Sequence, residues 1–255
     1  MSAMALVWHQ FRYDQKTFWR NPASVFFTVM LPVIFLFIFA TIFGNESIEE
    51  LGGVKTTTYY VPAIIALAVI SATLVSPAIS LVEDREHGVL KRVRGTPLPS
   101  AAFIAGRVGN ALVVSLMMVV IVTVLGRVVY GVEVPTETLP GVLVTLAVGA
   151  ASFACLGFAL TALIPNDDAA PAITNAVVLP LYFISGVFIP ESEIPDGVLD
   201  VAGAFPVRHF FEALFATFDP ATTGLGIEPA HLAVVAAWGL VGVVLAARFF
   251  RWAPR

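Results

Sequence analysis

Six stretches of the chain contain no Asp, Glu, Lys or Arg and are rich in Val, Leu, Ile, Phe and Ala. They cover residues 21–45, 56–82, 108–126, 138–164, 169–190 and 229–247. Each reaches the roughly 17–25 residues that a helix needs to cross about 30 Å of hydrocarbon. Long charge-free runs are typical of spanning helices, because a charge at the helix centre costs roughly 2.5–3.5 kcal/mol. The pattern therefore predicts an all-α integral membrane protein with six transmembrane helices.

The amino-acid composition supports this class. Of the 255 residues, 58% are hydrophobic and 13% are charged, whereas soluble domains average roughly 45–50% and about 25%. A soluble core of this size could not bury so much apolar surface, so the bilayer must cover the remainder. We expect a single transmembrane domain over residues 1–255. Four prolines are predicted to kink its helices, namely Pro32, Pro62, Pro77 and Pro180.

The basic residues indicate the orientation. With the N-terminus inside, the cytoplasmic pieces are 1–20, 83–107, 165–168 and 248–255. They hold all of the 14 Lys and Arg residues except Lys55, Arg127 and Arg208. Because cytoplasmic loops carry an excess of Lys and Arg, both termini are expected in the cytoplasm. The sequence therefore predicts a multi-pass protein of the cell (inner or plasma) membrane.

The first 21 residues have the pattern of a helix that lies on the membrane surface. At 100° per residue, apolar and aromatic side chains fall within one arc and basic side chains within another. This division is typical of an interfacial helix on an anionic leaflet, with membrane lipid as its partner. The expected interface residues are Trp8, Phe11, Arg12, Lys16, Trp19 and Arg20. The alternative is a segment that only stops translocation before the first span.

The longest outer piece, residues 190–229, has internal order. Pro190, Pro195 and Pro206 divide it, and a short helix fits between the last two of these prolines. Apolar residues then recur at i, i+3, i+4 and i+7, which predicts an amphipathic helix of about three turns, at Phe211, Leu214, Phe215 and Phe218. This helix is too short to span the bilayer, so we expect it at the outer interface or slightly re-entrant. It is either a surface helix packed on the bundle or a lid over a pathway.

The most informative segment, residues 83–100, lies on the cytoplasmic side between the second and third runs. It begins E-D-R-E-H-G-V-L-K-R-V-R-G-T-P-L-P, with seven charges in its first twelve residues. Gly88 permits a sharp change of direction, and Leu90 with Val93 gives a second short helix one apolar side. The alternative is an ordinary charged loop in solvent, but this order of residues is more specific than that.

This motif resembles the intracellular motif of ABC-2 type permeases, the membrane subunits of one class of ATP-binding-cassette exporter. The resemblance extends to the amphipathic N-terminal helix, the six spans and the short outer helices before the last span. The sequence S-G-V-F-I-P at residues 185–190, followed by Pro206 and residues 210–214, is similar to the fifth-span exit of the daunorubicin-resistance type. Arg94 departs from the family pattern, which often has an apolar residue at that position.

The resemblance implies a half-permease that pairs with a second copy or a homologue, and that binds no nucleic acid. Each half would rest on a separate ABC ATPase subunit, contacted through the N-terminal helix and residues 83–99. The implied direction of transport is outward. The residues implied in ATPase coupling are Glu83, Arg85, Glu86, Gly88, Leu90, Lys91, Arg92 and Pro97.

The chain has no nucleotide-binding motif of its own. A P-loop needs G-x-x-x-x-G-K-[ST], in which a glycine directly precedes the lysine. The three lysines instead follow Gln15, Val54 and Leu90. We therefore expect no ATPase activity and no bound cofactor in this chain, with ATP and Mg²⁺ bound by the partner subunit.

Two other classes of membrane protein fit the sequence less well, namely ion-coupled secondary transporters and intramembrane enzymes. An ion-coupled secondary transporter usually has ionisable residues within its spans, and the six runs contain no Asp, Glu, Lys or Arg. An intramembrane enzyme needs a nucleophile with a base, paired carboxylates, or a metal with His and acidic ligands. The histidines lie at or outside the span boundaries, at positions 9, 87, 209 and 231. Neither a catalytic nor a metal-binding residue is therefore predicted.

The resemblance also implies a cargo pathway at the dimer interface, lined by the first, second and fifth spans. Asn175 is the strongest candidate, because an amide in hydrocarbon is costly unless it is hydrogen-bonded. Ordinary helix packing is the alternative for every candidate. The candidates are Phe27, Thr28, Ser71, Thr73, Asn175, Tyr182 and Ser185. Such an apolar, uncharged wall suits hydrophobic or lipid-like cargo, such as a drug, an antibiotic or a lipid-linked glycan.

Overall fold

The structure, a computed structural model, describes residues 3–43, 47–48, 54–96 and 98–250. Helices dominate these residues: α1 Ala3–Arg20, α2 Pro22–Val25, α3 Leu31–Phe43, α4 Thr56–Ile70, α5 Ser76–Glu86, α6 Val89–Arg94, α7 Ser100–Tyr130, α8 Leu139–Leu160, α9 Ala170–Ile184, α10 Asp196–Ala202, α11 Pro206–Phe218 and α12 Pro229–Phe249. One turn of 3₁₀-helix covers Glu191–Glu193. Two short antiparallel strands, β1 (Ser47–Ile48) and β2 (Val54–Lys55), pair with Ser47 opposite Lys55.

The apolar runs form helices of two lengths. Four helical segments are long and apolar enough to cross a membrane, namely Thr56–Glu86, Ala102–Tyr130, Leu139–Leu160 and Pro229–Phe249. Two shorter apolar segments cover Phe26–Ile42 and Ala170–Ile184. The prediction of a helical membrane protein is thus confirmed, whereas the count of six spans stays a prediction.

The fifth run is shorter as a helix than the charge pattern predicts. α9 ends at Ile184, and Gly186 then has a φ of +83°. Positive φ is a conformation that glycine adopts without steric cost, and it turns the chain away from the helix axis. Fifteen helical residues rise only about 22 Å, less than the roughly 30 Å of hydrocarbon. The helix therefore covers only part of the charge-free run 169–190, and the fifth span stays a prediction.

Two helical stretches change to a π-helix shortly before a proline. Phe26–Met30 precedes Pro32, and Ser71–Val75 precedes Pro77. In an α-helix the proline ring clashes with the carbonyl four residues earlier and removes one backbone hydrogen bond. The wider π turn, with one more residue per hydrogen-bonded turn, occurs at this point in both stretches. The chain therefore remains helical from Pro22 to Phe43 and from Thr56 to Glu86.

α4 is the central helix of the bundle. Every one of its residues is buried, and it packs against α3, α7, α8 and α11. Its tyrosines also hold the non-helical chain after α9. The Tyr59 hydroxyl donates to the Gly186 carbonyl at 2.5 Å, and the Tyr60 hydroxyl donates to the Phe188 carbonyl at 3.5 Å. Backbone groups freed by the early end of α9 thus find partners inside the protein, as an apolar environment requires.

The outer segment contains both predicted helices, α10 and α11. α11 packs against α4, α8, α9 and α12, and Phe210, Phe211 and Leu214 are buried. Its apolar side therefore faces protein, which favours a helix packed on the bundle. Trp238 of α12 reinforces this arrangement, because its indole N–H donates to the Ala204 carbonyl at 2.9 Å.

α8 and α12 approach each other along a seam of small residues. A Cβ atom added at Gly239 would lie 2.5 Å from Ser152 Oγ, and one added at Gly242 would lie 2.8 Å from the backbone nitrogen of Leu156. Small residues allow helix backbones in membranes to pack closely, where dispersion forces stabilise the contact. α12 has few other buried positions, so this seam fixes the last helix to the bundle.

Substitution of Gly242 tests the seam. Because the nearest atoms are backbone atoms, Gly242→Val must push α12 away from α8, and we expect a loss of about 1–3 kcal/mol in the free energy of unfolding. Ala237→Val adds a similar side chain at an exposed position of the same helix and should have little effect. Thermal unfolding in one detergent measures both variants. Equal melting temperatures of Gly242→Val and Ala237→Val would show that the seam does not contribute to stability.

Candidate functional site

The segment predicted to be cytoplasmic and to couple to an ATPase forms an elbow between α5 and α6. Gly88 has a φ of +71°, and its amide donates to the Arg85 carbonyl at 3.1 Å. A Cβ atom added at Gly88 would meet no neighbour, so the backbone conformation, rather than space, explains the glycine. The predicted change of direction and the short second helix are both present. Here "elbow" means residues 83–94.

Arg85 anchors the elbow to the end of α8. Its side chain is 3% exposed, and its guanidinium donates to the carbonyls of Thr161 at 3.1 Å, Ile164 at 2.8 Å and Pro165 at 3.3 Å. Its Nε also donates to Glu86 at 2.9 Å. The carbonyls follow the last turn of α8, where a helix leaves such groups without internal partners. Arg85 therefore acts as the cap of another helix.

Leu90 holds the second arm of the elbow. It is fully buried in a cluster with Leu81, Phe103 and Phe158, which belong to α5, α7 and α8. Burying a leucine contributes roughly 1.5–3 kcal/mol. The short helix α6 is therefore packed on the bundle and is not an ordinary loop in solvent.

The residues predicted to couple to an ATPase consequently fall into two groups. Arg85, Gly88 and Leu90 shape and attach the elbow, and Glu86 is half-buried against Arg85. The charged side chains of Glu83, Lys91 and Arg92 are exposed and form the outer surface of the elbow. Pro97 lies outside the described residues.

The N-terminal helix α1 packs along α7. Gln10 and Phe18 are buried, and a Cβ atom added at Gly106 of α7 would lie 2.6 Å from Gln10 Cγ. Phe11, predicted at the lipid interface, lies instead beside α7, where Gly109 leaves room for its ring. The other predicted interface residues are exposed, as an interfacial face requires: Trp8, Arg12, Lys16, Trp19 and Arg20.

Charged side chains of α1, α5 and α7 interact where the elbow begins, and they are here called the Asp14–Arg107–Asp84 network. Arg107 of α7 forms an ion pair with Asp84 and donates to Ser80 at 2.9 Å. Asp14 of α1 accepts a hydrogen bond from Gln10 at 3.0 Å. Burial raises the pKa of the Asp14 carboxyl above its usual range, and the positive charge of Arg107 opposes this rise.

Sequence reasoning missed this network. Its charged members, Asp14, Asp84 and Arg107, are far apart in the sequence. The local sign of a protein-facing side of α1 was the spacing of Gln10, Asp14 and Phe18 at i, i+4 and i+8. That spacing marks one face of a helix. It shows that α1 has a protein-facing side in addition to its aromatic and basic sides.

The predicted pathway residues do not form one surface in a single chain. Ser71 and Tyr182 meet at 3.5 Å, and the Tyr182 hydroxyl lies 3.4 Å from the Leu67 carbonyl. Three others are buried: Thr28, Thr73 and Ser185. The remaining two, Phe27 and Asn175, lie on the exposed surface of the bundle.

Thr28 and Thr73 occupy equivalent positions. Each lies within a π-helical segment, four residues before the proline, and the Thr73 hydroxyl donates to the Val69 carbonyl at 2.7 Å. This bond within its own helix accounts for the buried hydroxyl of Thr73. The geometry therefore favours a packing role for Thr73 over contact with cargo.

Comparison with known proteins identifies the family. The family model of the ABC-2 type transporters matches residues 3–218, from α1 to the end of α11. The chain belongs to the ABC-2 type transporter family. It is therefore a membrane protein of a transport-permease family, and the resemblance seen in the sequence is confirmed.

Individual transport permeases are similar over most of this chain. YvfS, a transport permease of Bacillus subtilis (strain 168), is 21% identical over 198 residues, which cover 77% of this chain and 79% of the relative. YadH, an inner membrane transport permease of Escherichia coli (strain K12), is 25% identical over 171 residues, which cover 66% of each protein. DrrB1, a daunorubicin resistance ABC transporter permease of Streptomyces coeruleorubidus, is 26% identical over 194 residues, which cover 74% of this chain and 66% of the relative.

Replacement of Arg85 tests the anchor of the elbow. Arg85→Gln leaves at least two carbonyl oxygens without donors, and we expect the free energy of unfolding to fall by about 3 kcal/mol. Arg92→Gln removes the same charge from the exposed surface of α6 and should change stability by less than about 0.5 kcal/mol. Thermal unfolding of the two variants in one detergent makes the comparison. Equal losses would contradict the anchoring role.

Proposed function

We propose that the chain is the permease subunit of an ATP-driven ABC exporter, powered by a separate ATPase subunit. The observation that carries this proposal is the elbow, a rigidly attached cytoplasmic structure with an exposed charged surface, in a chain of the ABC-2 family. Membership of a permease family and the lack of a P-loop lysine in the sequence support a partner as the source of energy. ATP and Mg²⁺ would then be bound by that partner.

The proposed topology has six spans with both termini in the cytoplasm. Four spans are the long apolar helices, and the first and fifth need a further argument. The chain is helical from Pro22 to Phe43, a rise of roughly 33 Å, which is sufficient for a span. α9 is short, but the chain beyond it is buried at residues 185–187, and its carbonyls are bonded by the α4 tyrosines. Irregular backbone is tolerated at membrane depth when protein surrounds it in this way.

Charge and attachment support coupling through the elbow. Glu83, Lys91 and Arg92 present both signs of charge to the cytoplasm, which suits docking onto a complementary charged surface. Arg85 joins the elbow to the turn after α8, so a displacement imposed on the elbow would be passed to α8 and α9. In this proposal the buried residues transmit the movement and the exposed ones make the contact.

A second permease copy or a homologue would cover the exposed face of α9. Asn175 is exposed on α9, and the large exposed side chains of the same helix are apolar: Val177, Leu179 and Phe183, which are 43–50% exposed. An amide facing lipid lacks hydrogen-bond partners, so a facing protein surface would stabilise it. Phe27 is likewise 61% exposed on the first span. A dimer that joins these faces would place both candidate pathway residues between the two subunits.

The proposed cargo is hydrophobic or lipid-like, such as a drug, an antibiotic or a lipid-linked glycan. Aromatic rings cluster where α3, α4 and α9 meet: Phe39 stacks on Tyr60 at 4.9 Å between ring centroids, and Phe188 lies 5.1 Å from the half-exposed Phe183. Aromatic surfaces favour apolar and ring-containing molecules. The relative DrrB1 is named for resistance to daunorubicin, which agrees with a drug as the cargo.

A charge reversal on the elbow tests the proposed ATPase contact. Glu83→Lys changes an exposed side chain, and we expect it to reduce the ATPase that co-purifies from native membranes by at least about fivefold, because like charges then oppose docking. Glu193→Lys makes the same change at an exposed position outside the elbow and should retain the ATPase. Glu86 is unsuitable for this test because it forms an ion pair with Arg85, so its replacement would also disturb the anchor of the elbow.

Two results would contradict the proposal. One is a chain that purifies intact and brings no ATPase with it, under conditions that preserve other membrane complexes. That result would favour an ion-coupled secondary transporter. The other is an equal loss of ATPase in Glu83→Lys and Glu193→Lys, which would place the contact outside the elbow.

Cross-linking tests the proposed dimer. The chain has a single cysteine, Cys155, so Cys155→Ser gives a background in which one new thiol can be followed. In this background we expect Asn175→Cys to form a cross-linked dimer in membranes with a short bifunctional thiol reagent. Val244→Cys, at a position that is 64% exposed on α12, is the matched control and should stay monomeric. A dimer band from Val244→Cys alone would place the interface on α12.

A further inference from the structure

Three side chains converge where α11 meets α12. His209 and Glu212 lie one turn apart on α11, and His231 lies in the first turn of α12. His231 Nδ1 is 2.9 Å from His209 Nδ1 and 2.8 Å from Glu212 Oε2, and His209 Nδ1 is 3.6 Å from the same oxygen. The three side chains are 17–32% exposed. They form a partly buried group of one oxygen and two nitrogen atoms, here called the His–Glu–His cluster.

Neighbouring groups aim the lone pairs of this cluster inward. His209 Nε2 lies 2.8 Å from the Gly203 carbonyl, and because a carbonyl only accepts, Nε2 must carry the hydrogen. Neutral His209 then has its free lone pair on Nδ1, which faces His231. Glu212 Oε1 accepts a hydrogen bond from Arg208 Nε at 2.6 Å, and this leaves Oε2 directed at the histidines. Such outer partners fix the tautomer and orientation of histidine and carboxylate ligands in metal sites.

The spacing of the three atoms suits a small divalent cation. Zinc binds histidine nitrogen at about 2.0–2.1 Å, so the ligand atoms of a tetrahedral site lie about 3.3 Å apart. The observed separations of 2.8, 2.9 and 3.6 Å bracket this value. Small rotations of the side chains would equalise them. A set of two histidines and one carboxylate leaves a fourth position for water or another ligand.

Charge at the cluster also favours a cation. Arg208 lies between Glu212 and Glu191, with its Nη2 at 3.1 Å from Glu191 Oε2. The carboxyl groups of Glu212 and Glu191 outnumber the single guanidinium of Arg208, so the formal charge of these three groups is −1. Without a metal, the Nδ1 atoms of His209 and His231 and the Glu212 carboxylate can bond to one another only if one of the two nitrogens carries a hydrogen. A divalent cation would satisfy all three lone pairs at once.

We propose that His209, Glu212 and His231 bind a divalent transition-metal cation, with zinc the best match to the ligand set. The bound ion joins α11 to α12 and, through the Gly203 carbonyl, to the end of α10. Since α11 also packs against α4, α8 and α9, the ion stabilises the packed position of the whole outer segment. This inference does not depend on the proposed transport activity, since it follows from the cluster alone.

The test is zinc binding by the full chain in detergent. After treatment with a chelator, the protein is titrated with zinc in competition with a chromogenic zinc indicator, and the bound metal is counted by elemental analysis. We expect one zinc ion per chain, and at least about a tenfold weaker affinity in His209→Ala and in His231→Ala. His9→Ala, at an exposed position of α1, is the matched control and should bind as the wild type does.

Thermal unfolding separates loss of a ligand from loss of the fold. A metal that binds only the folded state raises the melting temperature by mass action. Zinc should therefore raise the melting temperature of the wild type and of His9→Ala, but not that of His231→Ala. A further variant, His231→Cys, should keep zinc and gain affinity for cadmium, because a thiolate is a softer ligand than imidazole.

Two outcomes would overturn the proposal. The first is a wild-type chain that binds zinc no more tightly than His231→Ala, which would make the cluster a hydrogen-bonded group only. The second is a His231→Cys variant that binds cadmium no more tightly than the wild type does. This second result would show that residue 231 does not contact the ion, even if the alanine variant fails to fold.

Discussion

Backbone carbonyls freed where helices stop inside the bundle are the constraint on which this structure depends. An apolar environment offers no water to such groups, so each must find a donor within the protein. After α8 the donor is Arg85, after α9 it is the pair Tyr59 and Tyr60, and after α10 it includes His209 and Trp238. After α8 and α9 the donor belongs to a helix distant in the sequence, whereas after α10 it comes from the next two helices, α11 and α12. The ends of helices, rather than their middles, therefore fasten the bundle together.

The same constraint links the elbow to the rest of the helical bundle. An arginine that only closed a surface ion pair would contribute little to stability, typically 1 kcal/mol or less. Arg85 instead bonds carbonyls on another helix while Leu90 fills an apolar cluster nearby. A partner that pushes on α6 would thus act on α5, α7 and α8 together. This is a short mechanical connection between the charged surface of the elbow and the core of the bundle.

Local patterns predicted much of the fold, because charge-free runs, helix periodicity and glycine turns depend on neighbouring residues. The elbow at Gly88, the short helix α10 and the amphipathic helix α11 could be read in this way. The early end of α9 could not, since the charge pattern contains no sign that Tyr59 and Tyr60 would support non-helical backbone. The Asp14–Arg107–Asp84 network and the His–Glu–His cluster also escaped prediction. Their members come from separate helices, and only the packing of those helices brings them together.

The two π-helical segments have a consequence for changes in the length of the chain. A π turn holds one residue more than an α turn, so the loss of one residue there would leave both flanking helices in their places. Phe26–Met30 and Ser71–Val75 are therefore the positions where we expect a one-residue deletion to disturb the bundle least. When relatives are aligned, a one-residue gap in these two segments is physically meaningful, whereas the same gap inside α4 would rotate a helix that is buried on every side.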